Sequence, residues 1–102
     1  MNNKSFKNQT ELFNYIWESR CRLSEVSGRQ LLPKIHPQWR WQMCHILGKG
    51  SYPKYKLNID NIMLMLPDEH EKQETFKIFR DKQRKLKLRY YNQYYNSVRQ
   101  IK

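Results

Sequence analysis

Acidic residues, glycine and cysteine are scarce in this chain, and long apolar runs are absent. Across 102 residues there are nine Asp and Glu against 20 Lys and Arg, with three Gly and two Cys. The shortage of acids leaves a formal charge of +11 with histidines neutral. In a chain this small such an excess draws in polyanions, so nucleic acid is the first candidate partner and an anionic membrane surface the second. The bland alternative is that the charge serves solubility. No apolar stretch approaches the roughly 18–20 residues that span a bilayer, so a transmembrane helix is not expected. The polar segment 1–10 does not have the make-up of a signal peptide, which points to the cytoplasm. Cys21 and Cys44 lack any Cys-x-x-Cys spacing. A disulfide between them stays open, but a reducing compartment is the expectation.

What the chain does have is aromatic bulk. Three Trp, seven Tyr and four Phe can supply much of a core although only 38% of residues are hydrophobic. At this length roughly 60–70% of the extended-chain surface can be buried, enough for one domain over 1–102 and one modest core. Residues 1–9 read as frayed. Thr10 is placed to cap a helix running to about Arg20, with Leu12, Phe13, Ile16 and Trp17 on its apolar face. Residues 24–28 read as a turn and 30–32 as a short extended piece. Trp39–Leu47 and Ile62–Leu66 read as two strands, separated by a loop that Gly48, Gly50 and Pro53 impose. Asp68 is placed to cap a final helix, and no later Gly or Pro stops it before the nineties. Phe76, Phe79, Leu86, Tyr90 and Tyr94 form one stripe of that helix, and Lys77, Arg80, Arg84 and Lys87 another. Residues 76–102 hold nine Lys or Arg and one acid, Asp81.

Three polar residues stand out against this frame: His45 at the end of the first strand, Asn61 before the second, and His70 near the start of the helix. Histidine suits proton transfer near neutral pH because its ordinary pKa is about 6.5. Sixteen positions separate His45 from Asn61 and nine separate Asn61 from His70. With the surrounding Leu57-Asn58-Ile59-Asp60-Asn61-Ile62 and Pro67-Asp68-Glu69-His70, this pattern resembles the His-Asn-His (HNH, or ββα-metal) nucleases, over about residues 21–75. The resemblance implies an α+β fold. A hairpin-plus-helix core would be flanked by an N-terminal helix and a basic helical extension over about 76–102. It further implies a metal-dependent endonuclease in which His45 is the general base, Asn61 the orienting residue and His70 a metal ligand. The expected cofactor is one divalent ion, Mg, Mn, Ni or Zn, and the expected partner is DNA, double-stranded. Compact proteins of this type point to a bacterial or phage origin.

The chain also departs from the family. Many members place Asp or His before the base as a metal ligand, where this chain has Cys44. A thiolate there would suit Zn²⁺ and not Mg²⁺; the other reading is a small buried hydrophobe. Glu74, four residues after His70, would share its helix face and complete the metal site, or be a surface acid. Glu25 is a third candidate ligand. Asp68 and Glu69 read as helix-start acids, and His36 as a surface residue. Ser24, Ser27, Leu66 and Glu69 stand where relatives carry two zinc-binding Cys pairs, so a structural zinc knuckle is not expected. Lys49, Lys54 and Lys56 on the loop, and the Lys77, Arg80, Arg84 and Lys87 stripe, are the candidate phosphate contacts. The stripe's alternative is a solvated face. Tyr90, Tyr91, Tyr94 and Tyr95 offer base stacking or packing. The competing functional reading is a nucleic-acid-binding protein that kept this scaffold and lost catalysis; a small interaction protein using its tyrosine-rich tail is the third.

Overall fold

Strand alternation sorts the central side chains onto two faces. In the computed structural model, which describes residues 5–101 with side chains as far as Gln93, β1 (Met43–His45) and β2 (Ile62–Leu64) pair antiparallel. The register sets Met43 against Leu64, Cys44 against Met63 and His45 against Ile62. Because successive strand residues point to opposite faces, Met43, Ile62 and Leu64 join one core cluster and Cys44 and Met63 join another. The first cluster is completed by helix α1 (Gln9–Ser19), and the second by Phe79 and Leu86 of a long C-terminal helix. The hairpin is therefore sandwiched between two apolar clusters, and the fold is α+β.

Helix α1 begins two residues earlier than expected. Asn8, not Thr10, is its cap: the Asn8 side chain accepts a hydrogen bond from the Glu11 amide at 2.9 Å. Leu12, Phe13, Ile16 and Trp17 are buried as the helical spacing predicts. The segment before it is not frayed throughout, since Phe6 is buried and its ring lies 5.4 Å from that of Tyr15.

Both strands are shorter than the apolar runs that contain them. Residues Trp39–Gln42 form a 3-10 turn instead of strand. The cause is Gln42, fully buried, whose side chain accepts from the Leu32 amide at 2.6 Å and donates to the carbonyls of Leu32 and Trp39. A side chain thus satisfies backbone groups that a third strand would otherwise have bonded. The free edge of β2 is closed in a similar way. The Leu64 amide donates to the Glu25 carboxylate at 2.6 Å, and the Glu25 amide donates to the Leu64 carbonyl at 2.8 Å. Arg20 donates to the carbonyls of Ile59 and Ile62, both at 2.6 Å.

The single helix expected from Asp68 onward is broken. Helix α2 spans only Pro67–Glu71, with Leu66 as the cap residue and Pro67, not Asp68, opening the first turn. A 3-10 turn over Gln73–Thr75 and an extended Phe76 follow, and α3 runs Lys77–Ile101. Thr75 contributes to the break, its hydroxyl donating to the Lys72 carbonyl at 2.7 Å in competition with helical bonding. Phe76 is drawn sideways against the cluster that buries Phe79. Tyr94, assigned to the apolar stripe, lies in α3 with its side chain outside the described residues, as does Tyr95. Among the described residues no helix is long and apolar enough to cross a membrane.

Candidate active site

His45 ends β1 on the α1 face of the hairpin, where its ring lies 6.1 Å from the Phe13 ring. His70 lies in α2, which directly follows β2. Both line one cleft of about 490 Å³ together with Gln9, Phe13, Arg40, Trp41 and Lys49. No carboxylate lines it. Two imidazoles, a guanidinium and an ammonium thus face a common space, the electrostatic requirement for holding a phosphate.

Backbone carbonyls set the protons on both rings. Nε2 of His45 is 3.1 Å from the Lys56 carbonyl oxygen, and Nδ1 of His70 is 2.8 Å from that of Trp41. A carbonyl only accepts, so each of these nitrogens carries a hydrogen. In its neutral form His45 then offers a lone pair at Nδ1 and His70 offers one at Nε2. Burial pushes the pKa of His45 below its ordinary value, and the charges of Lys49, His70 and Lys56 push the same way. The bond to Lys56 opposes them without prevailing. His45 is therefore neutral at physiological pH, the state a proton acceptor requires.

Asn61 holds the stage on which His45 stands. It is fully buried, accepts from the Leu47 amide at 2.7 Å, and donates to the carbonyls of Leu47 and Tyr55, both at 3.1 Å. The loop over 46–61 is thereby pinned on itself directly after His45. Its side-chain bonds go to the Leu47 and Tyr55 backbone, not to the His45 ring.

The residues considered for a metal divide between two neighbourhoods. Cys44, Glu25 and Glu74 are absent from the lining of the cleft. Cys44 points to the opposite face of the hairpin, and its thiol donates to Gln73 Oε1 at 2.7 Å. Burial, with smaller contributions from Glu74 and Glu25, raises its pKa to about 12, so it stays protonated at neutral pH. Glu25 is occupied by the β2 edge, Arg20 and Lys82. Glu74 is exposed in the turn after α2, and the helical face it was expected to share with His70 does not form. Among the described residues no group of three or more His, Cys, Asp and Glu could hold a metal ion. The four-residue ligand set does not assemble. Of the proposed ligands only His70 lines the cleft, and it donates its Nδ1–H to the Trp41 carbonyl as metal-binding histidines commonly do with their second nitrogen.

The remaining candidates scatter. Lys49 lines the cleft, and the charge of Lys56 reaches His45. Lys54 is exposed in a 3-10 turn on the same loop. Lys77, Arg80, Arg84 and Lys87 lie on α3, across the hairpin from the cleft. Three of them are engaged locally: Lys77 with Asp81 at 2.8 Å, Arg84 with Asp81 at 3.7 Å, and Arg80 with the Glu74 carbonyl at 2.9 Å. His36 accepts from the Gln38 amide at 3.0 Å, a local turn contact. Tyr90 packs edge-on against Tyr52 and Tyr55.

Two residues of the cleft escaped sequence reasoning, Arg40 and Trp41. The signal was present: the run Trp39-Arg40-Trp41-Gln42 interleaves bulk and charge just before His45. Trp39 is buried, whereas Trp41 is 65% exposed.

Ser24, Ser27, Leu66 and Glu69 meet in space. Glu69, itself buried, accepts from Ser24 Oγ at 2.6 Å and from the Leu66 amide at 2.9 Å, and Arg29 pairs with it at 3.3 Å. Burial pushes the pKa of Glu69 up, but the hydrogen bonds from Ser24, Ser27, Leu66 and Arg29 outweigh it and hold the value at about 2. A carboxylate clasp ties the start of α2 to the turn over 24–28. Compared with known families, curated proteins and solved structures, the chain matches none.

Proposed function

We propose that this chain is a metal-assisted DNA endonuclease of the His-Asn-His type, with His45 as general base. The observation that carries the reading is the acid-free cleft in which Nδ1 of His45 and Nε2 of His70 accompany Arg40 and Lys49. The order of hairpin and then short helix supports it. So does the Glu69 clasp, which joins the four positions where relatives carry zinc-binding cysteines.

Hydrolysis of a phosphodiester requires a proton taken from water, relief of charge on the non-bridging oxygens, and stabilisation of the departing oxygen. His45, neutral and held by Lys56, takes the water proton at Nδ1. Arg40 and Lys49 bind the non-bridging oxygens and keep the phosphate against the two rings. Phe13 excludes water from one side of the His45 ring. A divalent ion on Nε2 of His70 would supply further charge relief to the phosphate and the leaving oxygen. An imidazole ligand with no carboxylate suits Zn²⁺ or Ni²⁺ better than Mg²⁺.

The test is relaxation of supercoiled plasmid across Mg²⁺, Mn²⁺, Ni²⁺ and Zn²⁺, comparing wild type with His45→Ala and His70→Ala. Nicking by the wild type, and DNA binding without nicking by His45→Ala, is the expected result. Equal nicking by His45→Ala removes the base from the mechanism. One observation favours a second reading, a DNA-binding protein without catalysis: the expected ligand set is not assembled. Calorimetric titration with Zn²⁺ decides it, since that reading requires no metal uptake that depends on His70.

A further inference from the structure

A second, smaller cleft adjoins the first. It has a volume of about 230 Å³ and is lined by Gln38, Trp41, Pro67, His70 and Glu71. Trp41 and His70 belong to both clefts. The two differ in chemistry. The larger presents Arg40 and Lys49 and no acid; the smaller presents a carboxylate, an amide and two apolar ring surfaces. A carboxylate repels a phosphate, so the smaller cleft is not a continuation of the backbone track. Neither the Glu71 carboxylate nor the Gln38 side-chain amide is bonded to another described residue.

We propose that this cleft is a nucleobase subsite, which takes an unpaired guanine beside the phosphate held between His45 and His70. The proposal rests on the nuclease reading for the position of that phosphate. Trp41 is 65% exposed while Trp17 and Trp39 are 5% and 6% exposed, so its indole face is open to a planar ligand. Base stacking on an exposed indole is the usual way a single-stranded nucleotide is gripped. Pro67 forms the second apolar wall. The Glu71 carboxylate only accepts hydrogen bonds. Guanine places two donors side by side on its pairing edge, N1–H and the 2-amino group. Adenine and cytosine set one amino group beside a ring acceptor, and thymine sets its single N–H between two carbonyls. Each of those acceptors would face the carboxylate, and guanine has none there. Gln38 can meet a guanine acceptor with its amide N–H.

A paired base cannot present that edge, because its partner strand already occupies it. The subsite therefore selects DNA with a single-stranded or extruded guanine at the cut, narrowing the expectation of an intact duplex. Trp41 also links recognition to chemistry. Its indole walls the base cleft while its carbonyl holds Nδ1 of His70.

The experiment uses the full chain carrying His45→Ala, so that binding is read without cleavage. The probes are the four 5′-deoxynucleoside monophosphates and inorganic phosphate, with affinity from calorimetry and the site from tryptophan emission. The expected result is at least tenfold tighter binding of dGMP than of the other three, with quenching that disappears in Trp41→Leu. Glu71→Gln should reduce dGMP to the affinity of the others; its side chain is exposed, and thermal melting checks that it stays folded. Equal affinity for all four nucleotides, or quenching that survives Trp41→Leu, overturns the subsite. The two readings fail separately. Preferential dGMP binding by a chain that nicks nothing removes the nuclease and keeps the subsite, whereas nicking with indifferent nucleotide binding does the reverse.

Discussion

The carbonyl oxygen of Lys56 lies 3.1 Å from Nε2 of His45 and fixes which ring nitrogen is free to accept a proton. The imidazole is also held neutral by burial and by Lys49, His70 and Lys56, its pKa falling below the ordinary 6.5. Cleavage should therefore rise with pH through a midpoint below 6.5 and stay flat above it. Protonation of His45 is less favourable in the folded chain than in the unfolded one. Its stability contribution is complete above 6.5 and is lost as pH falls through the folded value. Lys49→Ala should move the midpoint of a single-turnover pH profile upward, and an unmoved midpoint would remove Lys49 from the field at His45.

Asn61 tests whether positioning through the loop matters. Asn61→Ala deletes three buried hydrogen bonds and strands the Leu47 amide with two carbonyls. The expected loss is about 3 kcal/mol, from unsatisfied buried groups at roughly 1–3 kcal/mol each and partial relaxation. Asn61→Asp should be at least as damaging, because its carboxylate would face the carbonyls of Leu47 and Tyr55. Urea unfolding monitored by tryptophan emission measures both. A loss below about 1 kcal/mol would mean the loop is held by something else.

How far these features could be read from the sequence depended on whether each signal was local. The helical spacing of Leu12, Phe13, Ile16 and Trp17 and the turn residues of the loop were legible because each specifies its own backbone. The α+β class was implied by the resemblance to the His-Asn-His nucleases. The break between α2 and α3 was not legible, since it depends on Phe76 reaching a core assembled by residues remote in sequence. His45 and His70 were identified by spacing, and the structure places both on one cleft. The resemblance nominated Cys44, helical spacing nominated Glu74, and Glu25 was a third candidate from the turn over 24–28. Strand alternation, a broken helix and the β2 edge carry them elsewhere. Arg40 and Trp41 were missed because nothing local tells an exposed Trp41 from a buried Trp39.

The thiol of Cys44 gives an independent check on that division. With its pKa raised to about 12, only about one molecule in ten thousand carries a thiolate near pH 8. Native protein should therefore release one equivalent of thionitrobenzoate from Ellman's reagent, from the exposed Cys21, and a second only in denaturant. Cys44→Ala should leave metal-dependent nicking within about twofold of wild type. A tenfold loss with an unchanged melting temperature would return Cys44 to the metal site.

Acid should unlock the clasp around Glu69 before it reaches the rest of the fold. This carboxyl is held at about 2 against an ordinary 4.5, so its contribution is complete above 4.5 and drains away as pH falls toward 2. The linkage corresponds to about 3 kcal/mol at neutral pH, discharged within that window. Glu69→Gln, which keeps the volume but loses the charge that Ser24, Ser27, Leu66 and Arg29 surround, should flatten the dependence of stability on pH between about 4.5 and 2 while lowering stability at neutral pH. Because α2 carries His70, the same variant should loosen the Trp41–His70 contact and weaken Zn²⁺ uptake without shifting the pH midpoint set by His45. A steep acid transition that persists in Glu69→Gln would assign acid sensitivity to the other carboxylates that bind basic partners, with Glu25 at the β2 edge as the next to examine.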